Sequence, residues 1–243
     1  MQNSHDRMDV QILMNLATEL RNFDQNRQSS LIQRWFESQG VKNPIDSKSV
    51  FTNSDRFIGK NSNANYSGPG LLVYQSNKSF SKAYIGNFVA GKRQGSGVRK
   101  VLNKLYVGEY KLDQKHGSAQ IWDISSGNQQ KIFDGNFKHG LMNGNCYFKN
   151  STHEFNGQME NGVYNGRCTI LYSNGDKYEG EMKQGNMDGY GTITYKNGDV
   201  YQGVLKNNQM TGLGKYVWAK NEVSNYNSGM RANNFVVQEE ISV

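Results

Sequence analysis

The sequence is short of the groups that usually staple or equip a chain of 243 residues. It has two cysteines, Cys146 and Cys168, which excludes a disulfide framework. Its hydrophobic fraction is 35% and its mean hydropathy -0.78, so a deep apolar core is hard to build from this inventory. No apolar run approaches the length of a membrane span. The first thirty residues contain Asp6, Asp9, Glu19 and Asp24 and no continuous apolar stretch. That fits neither a secretory signal nor an acid-poor transit peptide, and a cytoplasmic location is expected.

Signatures of chemistry are equally scarce. His5, His116, His139 and His153 show no metal-ligand spacing, and neither metal nor cofactor is expected. Gly214-Lys215 is followed by Tyr216 where a Walker A motif needs Ser or Thr. Gly95-x-Gly97 lacks the third glycine and the helix of a dinucleotide fingerprint. No Ser or His lies in a nucleophile-elbow pattern, so no catalytic residue is nominated and the chain is not expected to be an enzyme.

Glycine and aromatics are what the chain has. There are 27 Gly, and the 12% of aromatic residues argues against plain disorder. Together they point to a thin architecture in which rings pack on glycines. Phe57, Tyr84, Tyr106, Phe133, Phe155, Tyr178 and Tyr201 set a register of 22, 23 or 27 residues. Two residues after each stands a glycine, from Gly59 to Gly203, and eleven after each another, from Gly68 to Gly212. Thirteen after, the residue is small: Gly70, Gly97, Ala119, Cys146, Cys168, Gly191 and Gly214.

Within the unit from Tyr178 to Val200, Tyr178, Gly180 and Met182 share one parity and Glu179, Glu181 and Lys183 the other, which reads as a strand with one wet face. A turn follows within Gly185–Gly189, then a second strand through Ile193 and Tyr195. Asn174-Gly175 and Asn197-Gly198 carry the type I′ signal and should join successive units. Gly180, Gly189 and Gly191 should lie beneath rings, because a missing side chain lets a ring approach the backbone. Cys146 and Cys168, two strands apart, should be packing residues about 10 Å from each other.

The pattern resembles the MORN repeat, Y-x-G-x-x-x-x-G-x-x-x-G-x-G. Residues 84–97 and 178–191 match every position, while Ala64, Asp113 and Ala119 replace glycines in the units from 57 and 106. The expected fold is mainly β: a single-layer antiparallel ribbon of seven β-hairpin repeats over 57–222, with a degenerate strand and tail at 223–243. Residues 1–50 form a separate helical segment, with amphipathic helices near 9–23 and 30–39. Their apolar stripes, Leu13, Leu16 and Leu20 in one and Trp35 and Phe36 in the other, would cap a strand edge or dock to a partner.

Charge is uneven. Between Arg56 and Lys104 stand nine bases and no acid. Arg56, Lys60, Lys82, Lys92, Arg93, Arg99, Lys100 and Lys104 are therefore the candidate partner-binding residues. Arg99 stands out, since equivalent positions hold Ile121, Phe148, Ile170 and Ile193. Acidic proteins of a large assembly are the expected partners, with anionic lipid as the alternative and self-association left open. Nucleic acid is not expected, because the aromatics sit where packing already requires them. The resemblance to stand-alone MORN arrays implies a scaffold or protein-protein interaction module of the cytoskeleton, such as a ciliary axoneme or its radial-spoke heads. The alternative it implies is a phosphoinositide-binding membrane adaptor.

Overall fold

The computed structural model describes residues 30–40, 48–50, 56–59, 66–76, 79–125, 129–219 and 223–227. The expected helix near 9–23, with Leu13, Leu16 and Leu20, and the tail after 227 lie outside the described residues. The chain divides between Lys131 and Ile132 into two compact units.

The first unit holds helix α1 (Ser30–Ser38) and strands β1 (Lys48–Val50), β2 (Arg56–Gly59), β3 (Gly68–Ser76), β4 (Ser79–Val89), β5 (Lys92–Val101), β6 (Lys104–Lys111) and β7 (Gln114–Asp123). Each strand pairs antiparallel with the next. The second unit runs from β8 (Gln130–Lys138), which starts at the boundary, through β9 (Leu141–Lys149), β10 (His153–Glu160), β11 (Val163–Tyr172), β12 (Lys177–Lys183) and β13 (Asn186–Thr194). It ends with β14 (Val200–Lys206), β15 (Gln209–Val217) and β16 (Val223–Asn227). Here too every strand pairs antiparallel with its successor.

The repeat works as the glycines dictate. Tyr178 on β12 lies flat over Gly180 of its own strand and Gly191 of the next, which face each other in register. Its hydroxyl donates to the Glu181 carbonyl at 2.7 Å. Tyr84, Tyr106 and Tyr201 repeat this bond to the carbonyls of Asn87, Glu109 and Val204. Each ring thus covers bare backbone while its one polar atom finds an acceptor, so it buries without a second layer of protein above it. Cys146 and Cys168 are buried, free thiols separated by Gly157 on the intervening strand.

Two details differ from the sequence expectation. The left-handed pairs of type I′ turns occur inside the units, at Ala90-Gly91, His139-Gly140, Asn161-Gly162, Gln184-Gly185 and Asn207-Asn208. At Asn174-Gly175 only the glycine has positive φ; the Gly175 amide bonds the Tyr172 carbonyl, and the Tyr172 amide bonds that of Asp176. That is a three-residue loop closed by a left-handed glycine, and Asn197-Gly198 repeats it. Gly189 is the second correction. The pairing shifts between Gly180 and Met182, placing three residues of β13 opposite one of β12. In that bulge Gly189 has φ 123°, and a Cβ on it would stand 2.8 Å from Cβ of Glu181, not against a ring.

The two units treat the other face of the sheet differently. In the second it is wet, with Glu179, Gln202 and Lys215 exposed. In the first it is apolar: Leu71, Val73, Ala83, Ile85, Val98, Leu105 and Val107 are buried there with Trp35 and Phe36 of α1. The helix therefore covers the sheet's face, not a strand edge. The reason is area, since strands β3 to β6 offer a wide apolar surface and an edge offers mainly backbone polar groups.

Candidate functional site

On the ring face of the first unit, cross-strand pairing lines up one row of side chains. Leu72, Tyr84, Arg99, Tyr106 and Ile121 follow one another across β3 to β7. A second row pairs Phe88 with Arg93 and Tyr110 with Lys115. Elsewhere these positions are apolar. Where Arg99 sits, five of the six other units have Leu72, Ile121, Phe148, Ile170 and Ile193, all buried, and the last has the half-buried Tyr216. Where Arg93 and Lys115 sit, they have Met142, Tyr164, Met187 and Met210, again buried. Three cations thus occupy places the repeat gives to core residues.

Arg93 and Lys115 are held against rings. Arg93 carries its guanidinium 4.7 Å above the Tyr110 ring and 5.7 Å from Tyr84. Its Nε donates to Asp113 Oδ1 at 2.9 Å, and its Nη2 to the Asp113 carbonyl at 2.9 Å. Asp113 sits in the left-handed turn after β6, with φ 69°, so the turn aims the carboxylate back at Arg93. Lys115 Nζ lies 5.3 Å from the Tyr106 ring centre. These placements are cation–π contacts, favourable but weaker than hydration for a buried ammonium.

The electrostatics carry the strain. Burial pulls the Lys115 ammonium down to a pKa of about 8, and Arg99, Arg93 and Lys104 push in the same direction. Burial likewise raises Tyr110 to about 12, though Arg93 and Arg99 oppose it. Burial is the largest single influence on Arg93 and works against its charge, but the bond to Asp113 together with Tyr110, Tyr74 and the Asp113 charge outweighs it and holds the group above its ordinary value. Tyr110 is 2% exposed, and its hydroxyl makes no well-formed hydrogen bond, its one polar neighbour being the donor Arg93. Arg93 lies over the ring and has no acceptor to offer, so the phenolic proton stays unbound.

The sequence-based candidates separate on this frame. Lys82 and Lys92 are exposed, while Arg93, Arg99 and Lys104 are half-buried on the ring face. Lys100 does not belong to an accessible basic surface. It is 7% exposed and pairs with Ala83 and Leu105 of the helix-covered face, because successive strand residues point to opposite sides. The side chain of Arg56, and Lys60 altogether, lie outside the described residues. Trp35 and Phe36, 3% and 0% exposed, serve the chain's own core. Lys115 was missed, since it lies past the acid-free run. Comparing the ninth residue after each leading aromatic would have found it.

Two further polar features are structural. His153, buried on β10, is bridged to Tyr164 by a 2.7 Å bond at Nε2 and to Thr152 by a 2.8 Å bond at Nδ1. Thr152 Oγ1 donates to Asn150, so it accepts from Nδ1–H, and Tyr164 then donates to Nε2. Asp176 and Asp199 accept the backbone amides of Lys196 and Ala219, tying successive loops together. Among the described residues no group of His, Cys, Asp and Glu is arranged to hold a metal ion, and no helix is long and apolar enough to cross a membrane.

The MORN-repeat family model matches residues 84–100, 106–122, 133–151, 155–177, 178–200 and 201–223. No curated protein matches the chain significantly. The unit from Phe57 falls outside those matches, although its ring lies over Gly70 as in the others. With six repeats covering half of its length, the chain belongs to the MORN-repeat family, whose β-repeat fold is a non-catalytic module for binding proteins or membranes.

Proposed function

We propose that this protein is a structural scaffold that recognises acidic protein partners through the basic ring face of its first unit. The setting we propose, from the family resemblance, is a cytoskeletal assembly such as a ciliary axoneme. The observation that carries the reading is the gathering of Lys82, Arg93, Arg99, Lys104 and Lys115 on the ring face of strands β4 to β7. Strands paired in register hold these cations at fixed spacing on a sheet, which favours a structured partner. Lys82, exposed, and Lys104, half-buried, lie on this face and add to the long-range attraction, and such a surface should bind less as salt rises.

Fractionation of ciliated cells expressing the tagged protein tests it. The wild type should stay with the detergent-extracted cytoskeleton, and the Lys82→Glu/Lys104→Glu variant should be released. Recovery of the wild type with membranes, lost on detergent extraction, would favour the lipid adaptor instead.

A further inference from the structure

Arg93 on the basic face already meets a carboxylate, and the turn after β6 supplies it. Asp113 Oδ1 accepts from both the Arg93 amide and its Nε at 2.9 Å, and the Asp113 carbonyl accepts from Nη2 at 2.9 Å. The last repeat shows what such a turn needs for its own sake. Asn208, like Asp113, stands seven residues after a leading tyrosine. Its Oδ1 accepts the Met187 amide at 2.7 Å, and its own amide donates to the Met187 carbonyl at 3.0 Å. Asp113 makes the same two backbone bonds with Arg93. A neutral side chain therefore closes the turn, and other repeats have Gly91, Gly140, Gly162 and Gly185 at this place. The negative charge of Asp113 is surplus to the fold, and the turn aims it at one cation of the basic face.

We propose that Asp113 is an internal stand-in for the partner's carboxylate, occupying Arg93 in the free protein and displaced from it when an acidic segment binds. This rests on the scaffold reading above and names how its basic face is regulated. The contact is built to exchange. Arg93 lies over the Tyr110 and Tyr84 rings, which hold it in place whichever carboxylate it meets. The Asp113 side chain is 44% exposed and that of Arg93 15%, so the carboxylate is the outer member of the pair. A half-exposed ion pair is weak, and an incoming carboxylate competes for the guanidinium on equal chemical terms. A lone acid then gains at Arg93 only what Asp113 gives up. A segment with several acids gains at Lys82 and Lys104 as well, so Asp113 raises the threshold that a partner must pass.

The test is calorimetric titration of the full chain with a glutamate-rich peptide at low salt. Asp113→Asn keeps the turn as Asn208 does, should melt close to the wild type, and should bind the peptide about fivefold more tightly. Asp113→Gly, the residue of four other repeats, should show the same gain. Arg93→Met installs the residue found at Met187 and Met210. In that background Asp113→Asn should give only the smaller gain of one lost negative charge. Equal gains in the two backgrounds would overturn the proposal, as would folded Asp113 variants that bind no more tightly than the wild type. The scaffold reading is judged separately. If the wild type binds the peptide, weakened by salt and by Lys82→Glu/Lys104→Glu, while the Asp113 variants change nothing, that reading stands and the role of Asp113 falls. If neither the wild type nor Asp113→Asn binds the peptide, both fall.

Discussion

The Tyr178 ring lies against the bare backbone of Gly191 on the neighbouring strand, so close that a Cβ on that glycine would sit 2.6 Å from Cε2 of the ring. This relationship, repeated by Tyr84 over Gly97 and Tyr201 over Gly214, is how a sheet with few aliphatic residues buries its aromatics. Gly191→Val should therefore destabilise the protein by about 2–4 kcal/mol, since the ring must lift and its neighbours with it. Lys183→Val, at an exposed strand position, should be near neutral. Thermal melts of the two variants check the difference.

Gly189→Ala should also destabilise, for another reason. A φ of 123° is unfavourable for any residue with a Cβ, and the added carbon would meet the Glu181 side chain. A loss of about 1–3 kcal/mol is expected. Shortening the opposing side chain with Glu181→Ala should relieve the clash and leave the backbone strain, so the double variant should recover only part of the loss in denaturant titration.

Lys115→Met should stabilise the fold, and the gain should depend on pH. The folded-state pKa of about 8 lies below the ordinary lysine value of 10.5. Below pH 8 the lysine is charged in both states, and the folded state bears the full cost of its burial. Between pH 8 and 10.5 the folded protein loses the proton first, and that cost fades. The variant's advantage should be about 2–3 kcal/mol at pH 7 and shrink through that window. Equal stabilities at pH 7 would show that Lys115 is not under strain.

Phe36→Ala should cost about 3–5 kcal/mol, because the ring is fully buried between α1 and the apolar face of the first unit. Binding of a hydrophobic dye should rise as Leu71, Ile85 and Val98 lose their cover. A helix that only met a partner would leave stability and dye binding unchanged.

The repeat was legible because glycine and aromatic residues make demands on the backbone that nothing else meets, and seven in register leave one solution. Parity failed at Gly189, since a bulge turns the chain and a count of two no longer tracks the face. The Asn-Gly turns were assigned from the dipeptide alone, which does not reveal loop length. The placement of α1 had a readable signal. Leu71, Val73, Ile85 and Val98 stand on the face where the later unit has Glu179 and Gln202, and that contrast marks a covered surface. Lys100 was misplaced because a run of charge was read as one surface, whereas neighbours on a strand face opposite ways.

The most direct test of the scaffold reading is a binding competition in vitro across a salt series. The purified chain would be offered a glutamate-rich peptide and vesicles of phosphatidylcholine and phosphatidylserine at equal negative charge. We expect saturable binding to the peptide, weakened by salt and by Lys82→Glu/Lys104→Glu, with little protein on the vesicles at physiological ionic strength. Tight vesicle binding that the peptide cannot displace would contradict the account.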